Sequence, residues 1–141
     1  MTKADMVAVV KLSAAAAQLD EAVMCAVAEQ ESEWNPWAYR YEPAFYTKYV
    51  APQKLSPTES YGRSTSWGLL QTMGQSIREL GYAGDLPALC DPATGVEWGC
   101  KLFVVKLGHA GGNYDEALQL WNGGSNPNYA AQVMARVANY S

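Results

Sequence analysis

Three glutamates crowd the stretch Ala28-Glu29-Gln30-Glu31-Ser32-Glu33-Trp34-Asn35-Pro36, and helical rotation separates them. With Val23 as the origin and about 100° per residue, Val27 falls near ~40°, Glu31 near ~80° and Met24 near ~100°. Glu29 and Glu33 fall near ~240° and ~280°, on the opposite side. Only Glu31 shares the apolar face. Burial disfavours a charged carboxylate, and the negative end of a helix dipole disfavours it again. Both effects raise the pKa, as a general acid working near neutral pH requires. A buried glutamate held by an arginine or a backbone amide is the plainer alternative, and this stretch alone does not choose between them.

The elements around it are legible in outline. Asp20 suits an N-cap and Glu21 a first helical turn, while Pro36 forces Asn35 out of the helical region. The predicted order is a first helix over 4–17, a second over 20–33, a third over 72–80, a fourth over 92–108, a fifth over 114–121 and a last over 128–139. Residues 50–66 read as a long loop with room for a short hairpin, and Glu59 lies in it as a solvated side chain or a second carboxylate for a cleft. Between Trp34 and Tyr49 run seven aromatic residues (Trp34, Trp37, Tyr39, Tyr41, Phe45, Tyr46 and Tyr49). Such rings serve a core or stack on sugar faces beside a buried acid, and both uses stay open. Gly68 lets a ligand or another element approach closely, and Gln71 needs hydrogen-bond partners among its apolar neighbours. Gly95 and Gly99 permit close helix packing. The expectation is one mainly α domain over 1–141, α+β at most.

Composition removes several function classes. The 141 residues are 49% hydrophobic and 17% charged, which marks a globular chain, and the net charge of −4 comes without any Lys/Arg run. A nucleic-acid footprint is therefore missing. No apolar run reaches bilayer length, and the Ala-rich start is broken by Asp5 and Lys11, so neither a membrane segment nor a signal peptide is expected. The lone His109 in a glycine-rich turn and three scattered cysteines give no metal spacing. Cys25 reads as a small core residue. Cys90 and Cys100 could pair, but an odd count without a secretion signal favours free thiols.

Four stretches carry a resemblance. Glu31-Ser32 with Asn35-Pro36, Gly68-Leu69-Leu70-Gln71, Leu120-Trp121-Asn122-Gly123-Gly124, and Tyr129 with Val133-Met134-Ala135-Arg136 stand in that order along the chain. Together they resemble the catalytic domain of the soluble lytic transglycosylases, relatives of goose-type lysozyme. Leu70 replaces the family's Met and Trp121 its usual Tyr, exchanging a phenol hydroxyl for an indole N–H that only donates. The segment from Trp37 to Ser66 is longer and more aromatic than the family's link. Arg40-Tyr41-Glu42-Pro43 with Phe45-Tyr46 resembles phage-encoded members.

The resemblance implies a lysozyme-like fold with a cleft, and Glu31 as the acid that cleaves the β-1,4 bond between N-acetylmuramic acid and N-acetylglucosamine. The substrate's own N-acetyl group would serve as nucleophile, and Glu31, now a base, would close a 1,6-anhydro ring. Ser32, Gly68, Leu70, Gln71, Trp121, Asn122 and Tyr129 would bind or shape the sugar. A muramidase using Glu59 or Glu42, and a non-catalytic wall-binding or virion-structural module, are the alternatives. No cofactor or metal is implied. The expected partner is the peptidoglycan glycan strand, met by a monomer that is cytoplasmic until release or carried on a virion.

Overall fold

The computed structural model describes residues 1–141. Helix α1 (Lys3–Ala16) starts on a reciprocal cap between Thr2 and Asp5 and buries Met6, Val10 and Ala14. Helix α2 (Glu21–Ser32) starts where the Asp20 side chain accepts from the Val23 amide. Its buried residues include Met24, Cys25, Ala26, Val27 and Ala28, so small side chains let neighbours close on it from several sides. The single apolar stripe read from the sequence is thus too narrow.

Proline does not end α2. Glu33 (φ 50°) and Trp34 (φ 64°) both take left-handed backbone, which non-glycine residues rarely adopt. The conformation is held because the Trp34 indole is buried and donates from Nε1 to Tyr140 Oη at 2.8 Å.

A small antiparallel sheet follows, with strands β1 (Tyr39–Tyr41), β2 (Thr65–Trp67) and β3 (Thr72–Met73) in the order β1-β2-β3. Tyr39 pairs with Trp67, Arg40 with Ser66 and Tyr41 with Thr65. Since side chains alternate across a strand, Tyr39, Tyr41, Thr65 and Trp67 share one face, and Arg40 and Ser66 the other. Gly68 (φ +73°) and Gln71 (φ +50°) turn β2 into β3, and Leu69 and Leu70 inside that turn are buried.

Two expectations need correction here. Residues 50–66 are not one long loop: a π-helical turn (Tyr46–Val50), a 3-10 turn (Ala51–Gln53) and helix α4 (Pro57–Arg63) occupy most of them, after a short helix α3 (Pro43–Phe45), and Thr65 and Ser66 open β2. Pro57 occupies the tolerated first turn and Ser56 caps it, a start signal that the proline-and-serine content disguised. The third predicted helix begins late, because Thr72 and Met73 pair in the sheet and only Gly74–Glu79 form α5.

The remaining helices match the expected order. Helix α6 (Pro92–His109) is capped by Asp91, α7 (Tyr114–Asn122) by Asn113, and α8 (Tyr129–Met134) is followed by a 3-10 turn over Val137–Asn139. The main core gathers α1, α2, α6, α7 and α8 around Met24, Phe103 and Leu118, and a smaller cluster surrounds Ile77 and Leu89. Trp121 packs against both. Gly99 is needed because a Cβ there would lie 2.5 Å from Leu70 Cδ1. All three cysteines are buried free thiols, and burial pushes Cys25 up to about 11 and Cys100 to about 12. No helix is long and apolar enough to cross a membrane.

Candidate active site

Glu31 sits in the last turn of α2, where the chain is about to leave the core, and its side chain is partly buried. Tyr129, in the first turn of α8, is buried and donates its hydroxyl to Glu31 Oε2 at 2.5 Å. Burial raises the Glu31 pKa, while the Tyr129 hydrogen bond and the positive field of Arg40 pull it down, and burial prevails. Burial first, and the adjoining carboxylate second, push the Tyr129 phenol far up, so it remains a neutral donor.

Glu31 lines a cleft of about 850 Å³, within the range of small-ligand sites. The cleft runs between α2, the Arg40/Ser66 face of the sheet, and the ends of α6 and α7. Phe45 and Tyr49 contribute rings, and Trp121 an indole. Arg40, Lys48 and Lys106 bring positive charge to this one place although the whole chain is acidic. Glu42 is there too, tied to Arg40 at 3.1 Å. The arrangement can hold a proton on one carboxyl to higher pH than an exposed glutamate would, deliver that proton into a sugar-sized groove, and hold anionic groups nearby.

The sequence-derived residues divide. Gln71, Trp121 and Asn122 line the cleft with Glu31, and Tyr129 reaches it through the hydroxyl bond. The Gln71 amide donates to Ala38 O and Gly68 O, both at 2.9 Å, which leaves its Oε1 without a partner inside the protein. Asn122 Oδ1 accepts from the Asn126 amide at 2.8 Å and so shapes the turn after α7.

Ser32, Gly68 and Leu70 do not line this cleft. Ser32 is buried and returns its hydroxyl to Ala28 O at 2.9 Å. Leu70 is 1% exposed and belongs to the core. Gly68 makes room for backbone rather than ligand, since a Cβ there would lie 2.4 Å from Leu89 O.

Glu59 is the clearest correction. It is neither a solvated loop residue nor part of the Glu31 cleft: it lies on α4, bonded to Arg78 at 2.8 Å and to Arg63 at 3.4 Å. The Arg78 hydrogen bonds, foremost, hold its carboxyl below the ordinary range. Paired to two arginines and absent from the lining of the Glu31 cleft, this carboxylate is not placed to serve there as a second acid or base. Of the cleft residues that sequence reasoning passed over, Arg40 and Ser66 had a usable signal, namely their alternation with aromatic and threonine neighbours. Lys48 and Lys106 had none, because chain folding alone brings them together.

No curated protein and no solved structure matches the chain. The family model described as "Transglycosylase SLT domain" matches residues 9–136, a span that contains Glu31, the β2–β3 turn, the α7 terminus and Tyr129. The mainly helical architecture with a small three-stranded sheet agrees with that match, and the chain therefore belongs to the transglycosylase SLT domain family.

Proposed function

We propose that this protein is a lytic transglycosylase in which Glu31 acts first as general acid and then as general base. The family supports peptidoglycan degradation of the lytic transglycosylase type. One observation carries the finer reading: a partly buried carboxyl, raised in pKa and fixed by the Tyr129 hydroxyl at 2.5 Å, opens on a groove large enough for sugars. In this reading protonated Glu31 donates to the oxygen linking N-acetylmuramic acid to N-acetylglucosamine. The muramic N-acetyl carbonyl attacks its own anomeric carbon as the bond breaks, giving an oxazolinium-like intermediate. Glu31, now ionised, removes the proton from the C6 hydroxyl, whose oxygen attacks the anomeric carbon, displaces the N-acetyl oxygen to restore the acetamide, and so closes the 1,6-anhydro ring.

Substrate assistance is favoured because no free second carboxylate stands ready. Glu59 is outside the cleft and Glu42 is paired with Arg40. Arg40, Lys48 and Lys106 suit the carboxylates of the peptide stems, or that of muramic acid where no stem is attached.

Glu42 does line the same cleft, and that supports a second reading, hydrolysis with Glu42 released from Arg40 to activate water. Digesting purified sacculi and weighing the muropeptides by mass spectrometry separates the two. Anhydro-muramic ends, absent with Glu31→Gln, support the proposal; reducing ends favour the hydrolase. Unchanged release of muropeptides by Glu31→Gln overturns both.

A further inference from the structure

The rings of the aromatic stretch are split between two faces of the sheet. Phe45 and Tyr49 line the Glu31 cleft, whereas Tyr39 and Tyr41 point away from it into a second cleft of about 960 Å³. The β1–β2 register puts Trp67 and Thr65 opposite them on that same reverse face, and Tyr61 of α4 closes its side. These rings form a surface rather than a core. Tyr39 is 69% exposed and Tyr61 57% exposed, while the Tyr39 and Trp67 rings lie 5.9 Å apart at 31° and Tyr41 meets Tyr61 at 5.4 Å. The Tyr39–Trp67 cross-strand pair steadies the sheet, but a run of exposed rings this wide also marks an interaction site.

The rest of the reverse cleft narrows the choice of ligand. Its one cation is already spent: Arg78 pairs with Glu59, which Arg63 also holds, and Arg78 Nη1 donates to Tyr82 O and Gly84 O. No free cation remains for a phosphate or an acidic peptide. What faces outward are ring planes, the phenol groups of Tyr39 and Tyr61, the hydroxyl-bearing Ser56 and Thr58, and the Asp85 carboxylate. Flat apolar faces interleaved with small acceptors and donors match a pyranose, which has an apolar face and an equatorial rim of hydroxyls.

We infer that the reverse face of the sheet is a second, non-catalytic binding site for a β-1,4-linked N-acetylhexosamine chain. It would hold one stretch of glycan on one side of the sheet while Glu31 works on another. Two clefts of similar size, back to back across three short strands, keep the enzyme on a meshwork in which cutting at one site would otherwise release it. The choice of glycan as ligand rests on the peptidoglycan reading proposed above; the site itself rests on the ring geometry.

The two faces carry separate reporters. The Trp121 indole lines the Glu31 cleft, and the Trp67 indole lines the reverse cleft, donating to Gly62 O at 3.0 Å. Titrating the full chain carrying Glu31→Gln with tetra-N-acetylchitotetraose, read by ¹⁵N–¹H NMR, follows both indole N–H signals. The expected result is that both move, that Tyr39→Ala with Tyr61→Ala abolishes the Trp67 response but keeps the Trp121 response, and that the paired Phe substitutions retain both. Binding of the same Ala pair to isolated sacculi should weaken roughly tenfold, the loss of two ring contacts. A still Trp67 signal beside a moving Trp121 signal overturns the second site and leaves the proposed function standing. A Trp67 response that survives the Ala pair, with the fold intact by amide dispersion, also overturns it. So does a wild-type chain that dimerises through this face in sedimentation and whose Trp67 signal ignores the sugar. A moving Trp67 beside a still Trp121 upholds this site and counts against the Glu31 cleft as the sugar groove.

Discussion

The Tyr129 hydroxyl lies 2.5 Å from Glu31 Oε2, joining the last turn of α2 to the first turn of α8 across 98 positions of sequence. The phenol stabilises the ionised form of Glu31, while burial around it destabilises that form more. The two residues thus oppose each other over the same proton. Tyr129 sets where the carboxyl points, and the surrounding protein sets when it lets go.

Tyr129→Phe keeps the ring and removes the opposing bond. The Glu31 pKa then rises further, so the alkaline limb of the kcat/KM profile moves to higher pH, since the protonated acid is the reactive form. Looser positioning lowers kcat at the optimum by about 10- to 100-fold. A pH–rate profile on soluble glycan strands checks both. A limb that moves to lower pH would falsify the assignment of Glu31 as the acid.

Glu31→Gln removes the ionisable group but keeps an oxygen for Tyr129. Activity falls by at least about 10³-fold if one proton donor serves both steps. Stability moves the other way. A carboxyl whose folded pKa lies above its unfolded value favours the native state below the unfolded pKa, and that advantage is lost as pH rises through the folded pKa. Once ionised, the wild-type side chain is a costly buried charge that the amide is not, so above the folded pKa the variant should gain about 1 kcal/mol and about 3 °C in Tm. Thermal scans at pH 4 and pH 7 test this, because the gain should shrink at the lower pH.

Gly68→Ala tests whether that turn glycine serves backbone packing. Its left-handed φ of +73° and the 2.4 Å approach of a Cβ to Leu89 O add together, and a cost of about 3 kcal/mol or more is expected. Gly111→Ala has a similar φ of +61° but nothing within 4 Å, so backbone strain alone should cost about 1–2 kcal/mol. Urea unfolding of both variants isolates the steric part. Equal losses would mean that Leu89 moves aside.

The C-terminal turn clasps α2 through polar contacts. Trp34 Nε1 donates to Tyr140 Oη, Tyr140 donates to Glu29, and Arg136 pairs with Glu29 and with Gln30. The Tyr140 bond, then Arg136, hold the Glu29 carboxyl below the ordinary range. Such a depressed group lends stability above its unfolded pKa, and that stability drains away as pH falls through the folded value. Tyr140→Phe strands the buried Trp34 N–H and loosens Glu29, for an expected loss of about 2 kcal/mol at neutral pH. Its stability should also decline less steeply on acidification than that of the wild type. Denaturant midpoints at pH 7 and pH 3 give both numbers, and parallel pH curves would exclude Glu29 from the clasp.

Local rules carried the sequence reading a fair distance. Asp20, Asp91 and Asn113 announce their helices because a short side-chain acceptor before an apolar repeat satisfies backbone amides wherever it occurs. Glu31 stands out because helical rotation is a property of the chain alone, and the Gly-Leu-Leu-Gln and Trp-Asn-Gly-Gly stretches mark two edges of the site. The same local logic misread α4, where Ser56-Pro57 looks like loop composition yet starts a helix, and Thr72-Met73, whose strand state exists only because Ser66 and Trp67 pair with them.

Charge partners and facing lay beyond the sequence's reach. Glu59 could not be told from a cleft acid until Arg78, 19 positions away, was beside it. Glu29 looked solvent-facing by rotation until Tyr140 folded back over it. That Tyr39 and Tyr41 turn away from Glu31 while Arg40 faces it depended on the strand register, where a shift of one residue exchanges the faces. Periodicity and capping act within a few residues, so the sequence by itself determined most of the helices and the placing of Glu31 on an apolar face; ion pairs, register and clefts act across the whole chain, and only the tertiary structure decided them.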